Sequence, residues 1–121
     1  MKRPASPELC PRFHFAAELI GRRWTGAVLY LLLQAPAGFA QLREAIPGIN
    51  DRMLSERLRE LESEGLVERA VLGGVPVRVR YSISPKGRAL GKALEALAGW
   101  SEKWVTLAHA KAAARPARRK R

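Results

Sequence analysis

Residues 39–66 read FAQLREAIPGINDRMLSERLRELESEGL, two helical stretches separated by a turn and closed by a glycine. Gln41 to Ile46 suffices for about two turns of helix at ~1.5 Å rise per residue. Pro47-Gly48 ends it, because proline disfavours helical geometry in the residue before it and glycine supplies the bend. Asn50 is placed to cap the helix that follows. In that second helix, residues 50–64, Leu54, Leu58 and Leu61 recur at i, i+4 and i+7 and form one stripe toward a core. Arg52, Glu56, Arg59 and Ser63 fall on the opposite side. This is the order of parts in a helix-turn-helix.

Working outward, Gly65 stops the helix and Leu66 to Leu72 is β-prone. Gly73-Gly74 reads as a two-residue hairpin turn. Val75, Val77, Val79, Tyr81 and Ile83 then alternate with Pro76, Arg78, Arg80 and Ser82, the period of a strand with one buried and one wet face. The expected fold is therefore mainly α with a small β-hairpin wing at residues 66–83, a winged helix-turn-helix whose second helix enters the major groove and whose wing lies on backbone or minor groove.

Upstream, Met1 to Glu8 carries three charges and two prolines and is expected to be a flexible arm, with residues 1–9 outside the folded domain. Pro11 suits the first helical position and makes Cys10 the cap of a helix through Phe13, Ala16, Ala17 and Ile20, ended by Gly21. Trp24 to Gln34 is mostly apolar and should be central to the core. Downstream, Ser84-Pro85 opens a long helix through at least Trp104, with Leu90, Leu94, Leu97 and Trp104 in one stripe and Trp100 and Leu107 beside it. So late a helix has little core left to cover. Its tryptophans therefore suit a subunit interface, where aromatics are enriched, against the alternative that they pack back on the first helix. The domain is read as residues 10–110, followed by a disordered basic tail, 111–121.

The 121 residues make one domain, with a net charge of +11 from 22 Lys and Arg against 11 Asp and Glu. That balance favours a polyanionic partner. The tail holds six of the basic residues, so specific binding has to come from charge placed locally on helix and wing. The lone cysteine excludes an intrachain disulfide and a Cys-based zinc cluster within one chain. The longest apolar run, Ala27 to Leu33, is far short of the roughly 20 residues of a membrane span. With no signal-peptide core either, the expectation is a cytoplasmic protein. An enzyme would need a constellation this chain does not offer: His14 and His109 sit in no metal-ligand spacing, and there is no glycine-rich phosphate loop. No metal or cofactor is expected.

The segments CPRFHFAAELIGRRW, FAQLREAIPGINDRMLSERLRELESEGLVER and VPVRVRYSISPKGRAL resemble, in order and spacing, the HxlR-type winged helix-turn-helix family of bacterial transcription regulators. The resemblance runs from Cys10 to Trp100, about three quarters of the chain. It implies a homodimer built from the first and last helices on a palindromic operator in double-stranded DNA, and repression or activation without choosing between them. Val77 and Arg80 depart from the family's wing, and Arg80 makes this one more basic. The position of Cys10 resembles that used by the family's thiol-based sensors.

On this reading Arg52, Ser55, Glu56 and Arg59 reach base edges and phosphates, since Arg pairs bidentately with guanine and Glu accepts from cytosine. The alternative for each is a solvated helix face. Asn50 at the helix start and Arg43 on the preceding helix join them, Arg43 toward the backbone. Arg78 and Arg80 face phosphate on the wing, and the tail adds sequence-independent attraction. Phe13, Leu97, Trp100, Trp104 and Leu107 are the expected dimer contacts. Cys10 is the redox candidate, because a thiolate at a helix N-terminus beside Arg12 is stabilised by dipole and charge; a buried, inert thiol is the alternative. Trp24, Tyr30, Trp100 and Trp104 could line a small-molecule or electrophile pocket, although core packing is the commoner use. The rival readings overall are a nonspecific nucleic-acid-binding module and a winged helix that makes only protein contacts.

Overall fold

The structure, a computed structural model, describes residues 6–114. Its helices and strands run α1 (Pro11–Ile20), α2 (Thr25–Gln34), β1 (Ala37–Gly38), α3 (Phe39–Ala45), α4 (Asp51–Ser63), β2 (Val67–Gly73), β3 (Arg78–Ile83), α5 (Pro85–Trp104) and α6 (Leu107–Ala114). The strands form one antiparallel sheet in the order β1-β3-β2. This is the expected winged helix-turn-helix, mainly helical with a β wing.

The core gathers around α2. Val28, Leu29 and Leu32 are fully enclosed and meet Leu42 and Ile46 of α3, the Leu54, Leu58 and Leu61 stripe of α4, Tyr81 and Ile83 of β3, and Leu94 of α5. Each leucine so buried contributes roughly 1.5–3 kcal/mol relative to its exposed state. Two glycines bring α5 down onto this layer. A Cβ on Gly87 would collide with the Leu66 carbonyl, and one on Gly91 would come within 2.8 Å of the Leu33 side chain.

Several boundaries differ from the expected ones, each for a local reason. Trp24 is the N-cap of α2 rather than its first residue, with a left-handed backbone at φ 78°. The short β1, absent from the sequence reading, pairs Ala37 with Tyr81 and Gly38 with Arg80. The hairpin turn is not two residues: β2 ends at Gly73, β3 begins at Arg78, and Gly74 to Val77 form the turn between them. Pro76 has no N–H to give a ladder. Val75 and Val77 are therefore not the buried face of a strand but lie exposed, beyond the reach of the helical layer. The apolar stripe of α5 also divides, with Leu94 buried and Leu97 and Trp104 exposed. Helix α5 stops before the β-branched Val105-Thr106 pair, and Thr106 Oγ1 accepts from His109 N at 3.1 Å to start α6. Leu107 thus belongs to a separate helix. Residues 111–114, assigned to the disordered tail, are its last turn, as an alanine-rich run favours. Residues 1–5 and 115–121, with most of the expected arm and tail, lie outside the described residues.

Candidate nucleic-acid interface

Helix α4 is held at three places. At its N-terminus Asn50 Oδ1 accepts from Met53 N at 2.8 Å, so the carbonyl of Asn50 is committed to capping and its amide NH2 remains to face a partner. Arg43 of α3 closes on Asp51 at 2.9 Å. The Asp51 carboxylate, through that hydrogen bond first and Coulomb attraction second, holds the Arg43 guanidinium above its ordinary value. At the C-terminus Gly65, at φ 78°, turns the chain so that its N–H reaches Glu62 O and the Leu66 N–H reaches Leu61 O, both at 2.9 Å. Ser84 Oγ donates to Gly65 O at 2.6 Å and Lys86 Nζ to Glu64 O at 2.7 Å, fastening the same end to the start of α5.

The middle is fastened by a residue the sequence reading passed over. Arg57, only 13% exposed, donates from Nε to Arg23 O at 2.8 Å and from Nη1 to Glu60 Oε2 at 3.0 Å. Glu60 Oε1 lies 3.2 Å from Arg22 Nη1 without hydrogen-bond geometry, and that oxygen is buried. This cluster ties α4 to the α1–α2 connection. In sequence Arg57 looked like one more surface charge; the available signal was its place beside the leucine stripe, three residues before Glu60.

The outward face of α4 carries the expected residues together. Arg52 is exposed and pairs with Glu56 at 3.4 Å, and Arg59 donates to Ser55 Oγ at 3.2 Å. These contacts are long or neutral, and exposed pairs of this kind contribute little. The four side chains can therefore exchange their mutual contacts for base edges or phosphates at small cost. On the wing, Arg78 and Arg80 are exposed, and register pairs Arg80 with Ala70 and Gly38, neighbours too small to cover it.

Large apolar side chains are also exposed on three helices. Phe13 of α1, Leu97, Trp100 and Trp104 of α5, and Leu107 of α6 are exposed, Trp100 at 57% and Trp104 at 67%. Leu9, Phe15 and Tyr30, unforeseen in this role, are exposed too. Of the aromatics read as a pocket lining, Tyr30 alone lines the groove of about 460 Å³ between α2 and α5, with Gly26, Leu94 and Leu97 among its walls. Trp24 instead packs on the core. Cys10 sits at the N-cap position of α1 but makes no side-chain cap bond, and it is exposed in this chain rather than buried. Among the described residues no helix is long and apolar enough to cross a membrane.

A capped, core-anchored second helix with a charged outer face, beside a basic hairpin, defines a winged helix-turn-helix DNA-binding regulator. Residues 19–109 match the model of the HxlR-like helix-turn-helix family, and the chain belongs to that family. It is 40% identical over 98 residues to the HTH-type transcriptional regulator YvaP of Bacillus subtilis, covering 81% of this chain and 91% of that one. The reduced form of the transcriptional regulator YodB from B. subtilis superposes with a TM-score of 0.71 at 38% identity, over 81% of this chain and 96% of that chain. The redox regulator HypR in its oxidised form gives a TM-score of 0.75 at 35% identity, over 81% and 100%.

Proposed function

We propose that the protein acts as a homodimer on a palindromic operator, with one α4 in each of two successive major grooves about 34 Å apart and each wing on the flanking backbone. The observation that carries this is the set of large apolar side chains left exposed on α1, α5 and α6. Exposed apolar side chains in such number suit an interface, and a second copy of the same helices is a natural complement. Phe13, Leu97, Trp100, Trp104 and Leu107 then form the dimer contacts, and Arg43, Asn50, Arg52, Ser55, Glu56, Arg59, Arg78 and Arg80 meet DNA. Sedimentation at micromolar concentration is expected to give a dimer. Gel shifts on the region upstream of its own gene are expected to give a complex that unrelated duplexes do not displace. A monomer, or equal binding to all duplexes, overturns the reading.

The exposed thiol of Cys10, at the start of a helix in the dimer face, supports control by oxidants or electrophiles. YodB and HypR, whose structures are described by redox state, lend it support from relatives. With one cysteine per chain, oxidation yields an intersubunit Cys10 disulfide, a mixed disulfide with a small thiol, or an oxyacid. Diamide is expected to change operator affinity in the wild type and not in Cys10→Ser. Equal responses in the two proteins remove the thiol from the mechanism.

A further inference from the structure

The wing ends in an apolar tip that neither the core nor the dimer face explains. Val75 is 101% exposed and Val77 63%, and Val71 and Leu72 beside them are exposed as well, Leu72 standing at the irregularity in the β2–β3 ladder. Apart from the α1, α5 and α6 face, this is the cluster of large exposed apolar side chains among the described residues. Water is a poor partner for such a group, so the tip calls for a surface.

Charge identifies which surface. Arg78 and Arg80, exposed on one face of the hairpin, follow directly on the turn. An apolar point with a cationic edge behind it fits a slot with apolar walls and anionic rims. The minor groove of duplex DNA, roughly 6 Å wide, is such a slot: deoxyribose carbons line it and phosphates edge it. Its floor is level at A·T pairs, which show only acceptors, whereas at G·C pairs the guanine N2 amino group projects upward. Valine has no acceptor for that amino group. A G·C pair under the tip would both obstruct approach and leave a donor without a partner.

We infer that Val75 and Val77 seat in the minor groove beside each half-site and select A·T pairs there, reading the absence of the guanine amino group rather than any hydrogen bond. The inference rests on the reading of α4 as the helix in the major groove.

The test uses the full chain and an operator that the protein selects from a random pool of duplexes, with the wing's position found by hydroxyl-radical footprinting. Four versions keep the half-sites and differ only under the wing: A·T, G·C, inosine·C, and 2,6-diaminopurine·T. Inosine·C keeps the major-groove face of G·C without the amino group, and diaminopurine·T adds that group to A·T. The A·T and inosine·C duplexes are expected to bind alike and roughly tenfold more tightly than the other two. Val75→Ser with Val77→Ser, both at exposed positions, is expected to abolish the difference while half-site preference remains. Inosine·C behaving like G·C, or discrimination surviving in the double variant, overturns the inference. So does a change in the assembly state of the free double variant, which would give the tip to a protein interface. A flat flank series with half-site preference intact removes this inference alone; loss of half-site preference in the wild type removes the reading of α4 along with it.

Discussion

Helix α4 and the wing both carry exposed arginines, yet one is fastened along its length and the outer end of the other is held only by strand pairing. Three core leucines, the Asn50 cap, the Arg57 cluster and the Ser84 and Lys86 bonds fix α4. Beyond the Val71–Val79 pair the hairpin keeps only the Gly73–Arg78 register pair. On the proposed reading, the difference matches what each recognises. A bidentate bond to a base edge tolerates errors of a few tenths of an ångström. A phosphate attracts a guanidinium over a screening length of about 10 Å at 0.1 M salt, so its partner can be carried on a looser support.

The comparison breaks most severely at the core. Leu58→Ala should cost about 2–5 kcal/mol in denaturant unfolding, because the cavity lies between α4 and α2 where relaxation is restricted. The matching change on the wing, Val77→Ser, should stay within about 0.5 kcal/mol. Equal losses would mean that the tip is packed after all.

Next comes Arg57→Ala, which strips partners from the Arg23 carbonyl and Glu60 and should cost about 1–3 kcal/mol of stability. Binding measured well below the melting temperature should show weakened discrimination between operator and random duplex. Full discrimination there would reduce the cluster to a stability device. On the outer face of α4, Arg52→Ala or Arg59→Ala should leave melting almost unchanged and cost about 1–3 kcal/mol toward the preferred base only. An unaltered binding profile across sequences returns those side chains to a solvated face.

The smallest effect belongs to Arg78→Ala and Arg80→Ala. Each should weaken binding to every sequence alike and lower the salt slope by about 1, the signature of one lost phosphate contact. A sequence-selective loss would instead place a wing arginine on a base.

What the sequence made legible follows the same division. The α3–turn–α4 unit, the Asn50 cap and the Gly65 stop were readable because each depends on residues within a turn or two of chain. The wing's faces were not. Alternation from Val75 to Ile83 is uninterrupted in sequence, but a strand residue is buried only where a helix lies above it, and the helical layer ends near Val79. Strand β1 is too short to show any period, and its pairing with β3 is purely tertiary. Arg57 was hidden for the opposite reason: its burial is caused by the α1–α2 connection, 34 positions away along the chain. Of the site residues, the charged face of α4 was legible as a set, whereas the Arg43–Asp51 and Arg52–Glu56 pairings came only with the fold.

The three tryptophans fall into two environments, and this gives the protein a built-in optical assay. Trp24 packs on the core under the stacked Arg23 guanidinium, 4.6 Å from its ring centroid, so its emission is tied to folding. Trp100 and Trp104 stand in solvent on a single chain and shift toward the blue when another surface covers them. A dilution series followed by intrinsic fluorescence therefore reports subunit association without a label, and a denaturant series on the same sample reports unfolding. On the proposed dimer, two separate transitions would measure how much of the molecule's stability is its own and how much its twin lends.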